Sequence, residues 1–115
     1  LSTADSLHNI QKFLERNPGM SFTAWSEGKM VGVVLCGHDG RRGYLNHLAV
    51  GPKHRYQGLA RQLVAHCLEA LQLAGIRKCH LFVFASNQDG QNFWRNIGWE
   101  LRDDLTVASH ILAPN

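Results

Sequence analysis

No stretch of this sequence approaches the roughly 20 consecutive apolar residues that a membrane-crossing helix needs, and no charged-then-apolar leader opens it. Both absences point to a soluble, cytoplasmic protein. Cysteine is scarce: Cys36, Cys67 and Cys79 are odd in number, far apart, and without the paired spacing of zinc or redox sites. They read as buried thiols in a reducing compartment, and no metal is expected. Neither standard nucleotide motif occurs, since no Gly-x-Gly-x-x-Gly follows a strand and no Gly-Lys-Ser/Thr ends a turn. Kinases and dinucleotide enzymes are set aside on that ground. Charge is also low, at 18% of residues, and 12 Lys and Arg against 9 Asp and Glu leave a formal charge of +3. So small an excess fits a phosphate-bearing ligand. Arg41, Arg42, Lys53, Arg55, Arg61, Arg77 and Lys78 are scattered over turns rather than gathered with aromatics on one face, which argues against a nucleic-acid partner.

What is present suffices for one core. The 115 residues are 44% hydrophobic, as expected of a single domain spanning the whole chain. Residue 1 is Leu rather than Met, which implies a chain trimmed or truncated at its N-terminus.

Leu7, Ile10, Phe13 and Leu14 recur at helical spacing within residues 2–17, with Ser2 or Thr3 as cap and Asn17-Pro18-Gly19 as stop. Residues 20–26 and 30–35 are rich in β-formers on either side of Glu27-Gly28-Lys29, so they predict a hairpin. A second turn at residues 37–43 leads into a third strand over 44–50. From Gly58 onward Leu59, Leu63, Val64, Cys67, Leu68 and Leu71 repeat at three- and four-residue steps, the pattern of a long amphipathic helix closed by Gly75. Residues 79–85 are nearly all apolar and predict a central strand covered on both faces. A short helix over 89–96, closed by Gly98, and a polar hairpin from 99–104 and 106–112 complete the order. The order is that of a mixed α/β (α+β) fold. The long crossover from Val50 to Cys79 should set two strands side by side and parallel.

The segment Gly51-Pro52-Lys53-His54-Arg55-Tyr56-Gln57-Gly58-Leu59-Ala60-Arg61 joins a strand to that long helix. Unpaired N–H groups and the positive end of the helix dipole point into such a turn. Gly58 allows close approach of an anion, and Lys53, Arg55 and Arg61 add charge. Phosphate is the natural occupant, although a helix start that is merely basic would carry the same residues.

Leu48-Ala49-Val50, then Pro52, then Arg55-Tyr56-Gln57-Gly58-Leu59-Ala60 resembles the acetyl-CoA motif of the GNAT superfamily, whose core is Arg/Gln-x-x-Gly-x-Gly/Ala. Downstream, Asn87, then Phe93-Trp94, then Gly98-Trp99 resembles the second signature of that family. The resemblance covers about residues 20–112. It implies a sheet, mainly antiparallel and flanked by helices, that splays between the strands over 44–50 and 79–85. It implies also that acetyl-CoA serves as cosubstrate and that an acetyl group passes to a primary amine. Backbone groups of Leu48 and Val50 would pair with the pantetheine arm. Amides of Gln57, Gly58, Leu59, Ala60 and Arg61 would hold the pyrophosphate with Arg55 beside it, and Asn87 and Phe93 would line the rest of the cofactor. Asn87 also reads simply as a turn residue at a strand end.

Departures from the family pattern fall on the chemistry. The position at which relatives often carry a Tyr acid is Trp94, whose indole donates a hydrogen bond but is no acid near neutral pH; it reads better as packing. Positions that hold a base in relatives are Tyr44 and Asn46, and another falls at Phe82. A water ordered by Tyr44 or Asn46 is the preferred proton acceptor. His47 is the rival, but strand alternation turns it away from the face of Tyr44 and Asn46. The first strand and one further helix of the family pattern have no counterpart here. Either the trimmed portion held them, or a neighbouring subunit in a homodimer completes the site, or the chain is a catalytically degenerate coenzyme A-binding or regulatory domain. The acceptor, small molecule or peptide, is left open.

Overall fold

The computed structural model describes residues 6–113. Three helices and four strands run in the order α1 (Leu7–Arg16), β1 (Phe22–Ser26), β2 (Lys29–His38), β3 (Gly43–Val50), α2 (Leu59–Leu73), β4 (Cys79–His80) and α3 (Gln88–Asn96), with a short 3-10 turn at Pro52–His54. Ser2 and Thr3 lie outside the described residues. The cap of α1 is Ser6, whose hydroxyl accepts from the Asn9 amide, and the helix begins at Leu7, the first residue of the apolar spacing. Such a cap contributes about 1 kcal/mol.

β1, β2, β3 and β4 lie side by side in that order, antiparallel except for the β3–β4 pair. Ser26 faces Lys29 across the first hairpin, and Glu27 and Gly28 between them both have positive φ, 51° and 77°. That is the twist a two-residue hairpin turn needs. The second hairpin turns at Asp39, whose carboxylate accepts the amides of Arg41 and Arg42 at 2.9 and 2.8 Å. Those amides, that of Arg42 first, hold the Asp39 carboxyl below its ordinary value.

α2 covers one face of the sheet and buries Leu63, Val64, Cys67 and Leu71 against Val34, Cys36 and Leu45. Each such apolar side chain contributes roughly 1.5–3 kcal/mol on burial. Gly43 permits the contact, because a Cβ there would lie 2.6 Å from Leu71 Cδ1. α1 covers only one end of the opposite face: Asn17, just beyond it, is buried, donates to the Phe13 carbonyl and accepts from the His38 amide.

Two expectations are corrected. Residues 79–85 are not a central strand covered on both faces: only Cys79 and His80 are paired, with Gly43 and Tyr44, and Phe82 and Phe84 beyond them are 74% and 83% exposed. An apolar run reports strand preference, whereas cover depends on a neighbour, and β3 turns away before one can form. Nor do residues 99–104 and 106–112 form a hairpin; no strand occurs in them. The charged stretch there is satisfied locally instead, with Arg102 bonded to Asp104 at 2.8 and 2.9 Å, and a two-residue β4 offers no ladder to extend. The expected splay is present, since β3 and β4 pair only at their first rungs.

Candidate active site

The splay originates in β3. Val33 pairs with Ala49 and Leu35 with Asn46, so a single β2 residue, Val34, stands opposite two β3 residues, His47 and Leu48. This is a β-bulge, and His47 carries it at φ 53°. The bulge resets the alternation of side chains. Tyr44, Asn46 and Ala49 share the face of Leu35, while Leu45, Leu48 and Val50 turn to the α2 side, where Leu48 and Val50 pack on the core. His47 therefore sits at the break itself, exposed, rather than on an ordinary face pointing away from Asn46.

Past the bulge the β2 ladder is regular again. The Gly51 amide donates to the Val31 carbonyl at 2.8 Å, so by alternation the polar groups of Val50 face away from β2. The Val50 carbonyl there accepts from Arg55 Nε at 3.2 Å. Leu48 and Val50 thus present backbone on the side that β4 has vacated.

The turn after β3 ends at Gly58, which has φ 78° and ψ 9° and precedes the first residue of α2. No side chain caps this helix. Its first amides have no partner within the helix, by the geometry of any helix start. A Cβ at Gly58 would meet nothing within 4 Å, so the turn opens to solvent. Leu59 and Ala60 are half-buried at this end, with Gln57 and Arg61 exposed. Tyr56 is fully exposed with φ 62°. Outside glycine and among the described residues, positive φ occurs at Glu27, His47 and Tyr56, and the last two bracket this opening.

The second group of expected residues lies on α3. Asn87 is the N-cap of that helix, its side-chain oxygen accepting from the Gly90 amide at 2.9 Å. It is a turn residue, as the sequence also allowed, but at a helix start and not at a strand end, since β4 ends at His80. Phe93 is half-buried, and Trp94 is buried edge-on between Phe93 and Trp99, with ring centroids 5.0 Å from each. Trp94 packs the core.

Two participants escaped the sequence reading. His80 lies beside Tyr44 on the last paired rung before the splay, with ring centroids 5.9 Å apart. Parallel register between the first residues of the two strands was the available signal. Gln91 of α3 donates to the carbonyls of Phe84 and Ala85 at 3.0 and 2.9 Å, fixing the far end of the run that leaves β4. Three cysteines far apart in sequence also converge, since Cys36 and Cys67 share a hydrogen bond that, with burial, pushes Cys67 above its ordinary value. Burial pushes Cys79 up to about 12. The same contact with Cys67 draws Cys36 below its ordinary value, against the effect of its burial. Among the described residues no cluster of His, Cys, Asp and Glu is suited to hold a metal.

With this geometry in hand, comparison with known proteins is decisive. The sequence matches the model of the Acetyltransferase (GNAT) family over residues 2–99. The chain belongs to this family. An acetyltransferase of Pectobacterium atrosepticum is 29% identical over 104 residues, covering 90% of this chain and 74% of its own. Another, from Sodalis glossinidius, is 28% identical over 99 residues, covering 86% and 70%. Among solved structures, the aminoglycoside N-acetyltransferase AAC(6')-Iy in complex with CoA superimposes with a TM-score of 0.78 at 20% identity, over 91% of this chain and 85% of that one. An aminoglycoside acetyltransferase from a soil metagenomic sample, in complex with sisomicin, reaches 0.79 at 21% identity, over 98% and 78%. At these identities the structural likeness shows the fold. The GNAT chain is an N-acetyltransferase with a mixed, splayed sheet, as its motifs implied.

Proposed function

We propose that this GNAT chain transfers an acetyl group from acetyl-CoA to the primary amine of an acceptor by direct attack on the thioester. The observation that carries the reading is the pairing of a splayed sheet with an uncapped helix start at its mouth, reached through a left-handed glycine. The residues present fit the cosubstrate. Amides from Gln57 to Arg61 would hold its pyrophosphate, helped by the helix dipole and by Arg55. Backbone of Leu48 and Val50 would add the pantetheine arm as a strand is added to a sheet edge. Asn87, through the nitrogen its cap leaves unused, and Phe93 would line the α3 side. AAC(6')-Iy, similar in fold, is known with CoA bound.

Acetyl-CoA supplies an activated acyl carbon. The nitrogen lone pair of the acceptor forms the new C–N bond, the C–S bond breaks, and the sulfur leaves with the bonding pair and takes a proton from water. The proton lost by nitrogen passes to a water held by Asn46 and Tyr44, which share one face beside the bulge. Positioning carries most of the rate.

The test is release of thiol from acetyl-CoA across a panel of amines, with the acetylated product identified by mass. Coenzyme A binding without thiol release from any amine would sink the reading and leave a binding domain in its place.

A further inference from the structure

Among the described residues, the strands that form the sheet face opposite α2 carry no carboxylate. Register places Thr23, Val33, Leu35, Tyr44 and Asn46 on it, with His80 beside Tyr44. Burial alternates along residues 81–84, with Leu81 packed on the core, so Phe82 and Phe84 extend the line of His80. Among the described residues, none of the eight Asp and Glu falls on a strand or on the run 81–85, and the chain is net positive by 3.

Resting on the acetyl-transfer reading, we infer that Tyr44, His80 and Phe82 form the acceptor wall, and that the acceptor is a monoamine carrying an aromatic or branched apolar body, not a polycation. The nitrogen that attacks a thioester must be neutral, so it needs no carboxylate partner. Every additional ammonium group of a polyamine or aminoglycoside would be brought against strands that carry no carboxylate, in a chain that is net positive. An apolar body instead covers Phe82, 74% exposed and adjacent to the splay where the acetyl group must arrive. The tilted ring pair of Tyr44 and His80 gives that body an aromatic surface to pack against. The likeness to aminoglycoside enzymes is thus one of fold, and the acceptor class differs.

The experiment measures binding, so that it stands apart from turnover: calorimetry of 2-phenylethylamine and of spermine against the coenzyme A-loaded protein and its Phe82→Ala and Phe82→Glu variants. Phenylethylamine is expected to bind at least tenfold more tightly than spermine, to lose that advantage in Phe82→Ala, and to be overtaken by spermine in Phe82→Glu. Coenzyme A affinity should be unchanged in both variants. Equal or tighter binding of spermine by the parent, no binding of phenylethylamine, or indifference of both amines to the Phe82 changes would each overturn the inference. Thiol release recorded with acetyl-CoA in parallel reports separately on acetyl transfer.

Discussion

Arg55 and Val50 are joined across the turn after β3, the guanidinium Nε donating to the Val50 carbonyl at 3.2 Å. The bond holds one backbone group assigned to pantetheine and aims an exposed cation along the same edge. Arg55→Ala should weaken coenzyme A binding by about tenfold, the order of one charge-assisted contact, and should flatten its salt dependence. Gly58→Val should cost far more, because a β-branched residue resists φ 78° and its side chain enters the space the pyrophosphate needs. With nothing within 4 Å of that Cβ, the fold should persist. Calorimetry decides, and equal affinity in the Gly58 variant removes the pyrophosphate from this turn.

Much of this architecture was legible in the residues. α2 shows a 3.6-residue repeat of large apolar side chains ending in Gly75, and both hairpin turns carry glycine where φ is positive. The cofactor turn was legible for the same reason, since Gly58 marks it. The bulge was not, because His47 takes φ 53° without a glycine to announce it, and alternation counted through that residue misplaces everything on one side. Exposure of Phe82 and Phe84 was equally hidden, since composition does not report where a neighbouring strand departs.

Trp94 should matter for stability more than for chemistry. Its ring is 8% exposed and touches Phe93 and Trp99 edge-on. Trp94→Phe should retain most turnover, whereas Trp94→Ala should destabilise by roughly 3–5 kcal/mol through loss of a buried aromatic. Urea denaturation beside kcat separates the two effects. A collapse of kcat in a well-folded Trp94→Phe would give the indole a part in the reaction.

The cysteine cluster predicts a sensitivity to alkali. Burial raises the Cys79 thiol from 9.0 to about 12, and Cys67 is raised as well. An unfolded chain releases these protons above pH 9.0 while the folded chain keeps them, so the stabilisation is complete below that pH and is lost as pH rises toward 12. Cys79→Ala should lower the urea midpoint by a constant amount below pH 9.0 and reduce its fall above it. Parallel falls in parent and variant would mean that Cys79 titrates alike in both states.

The proton acceptor is decided by comparing Tyr44, Asn46 and His47. Tyr44 and Asn46 share a face by register, and Tyr44 also floors the proposed acceptor wall through its ring contact with His80. Tyr44→Phe keeps the ring and removes the hydroxyl, so acceptor binding should survive while kcat falls. Asn46→Ala should lower kcat with KM for acetyl-CoA unchanged, since a water-holding amide is lost and no cofactor contact is touched. For His47 the suitable replacement is Asn, which tolerates the left-handed backbone that the bulge demands and lacks a basic ring nitrogen. His47→Asn should therefore retain the fold and most of the rate. Should it prove the most damaging of the three, with folding and coenzyme A affinity preserved, the ordered water gives way to direct proton acceptance by His47. The φ of 53° would then be read as aiming that ring into the splay.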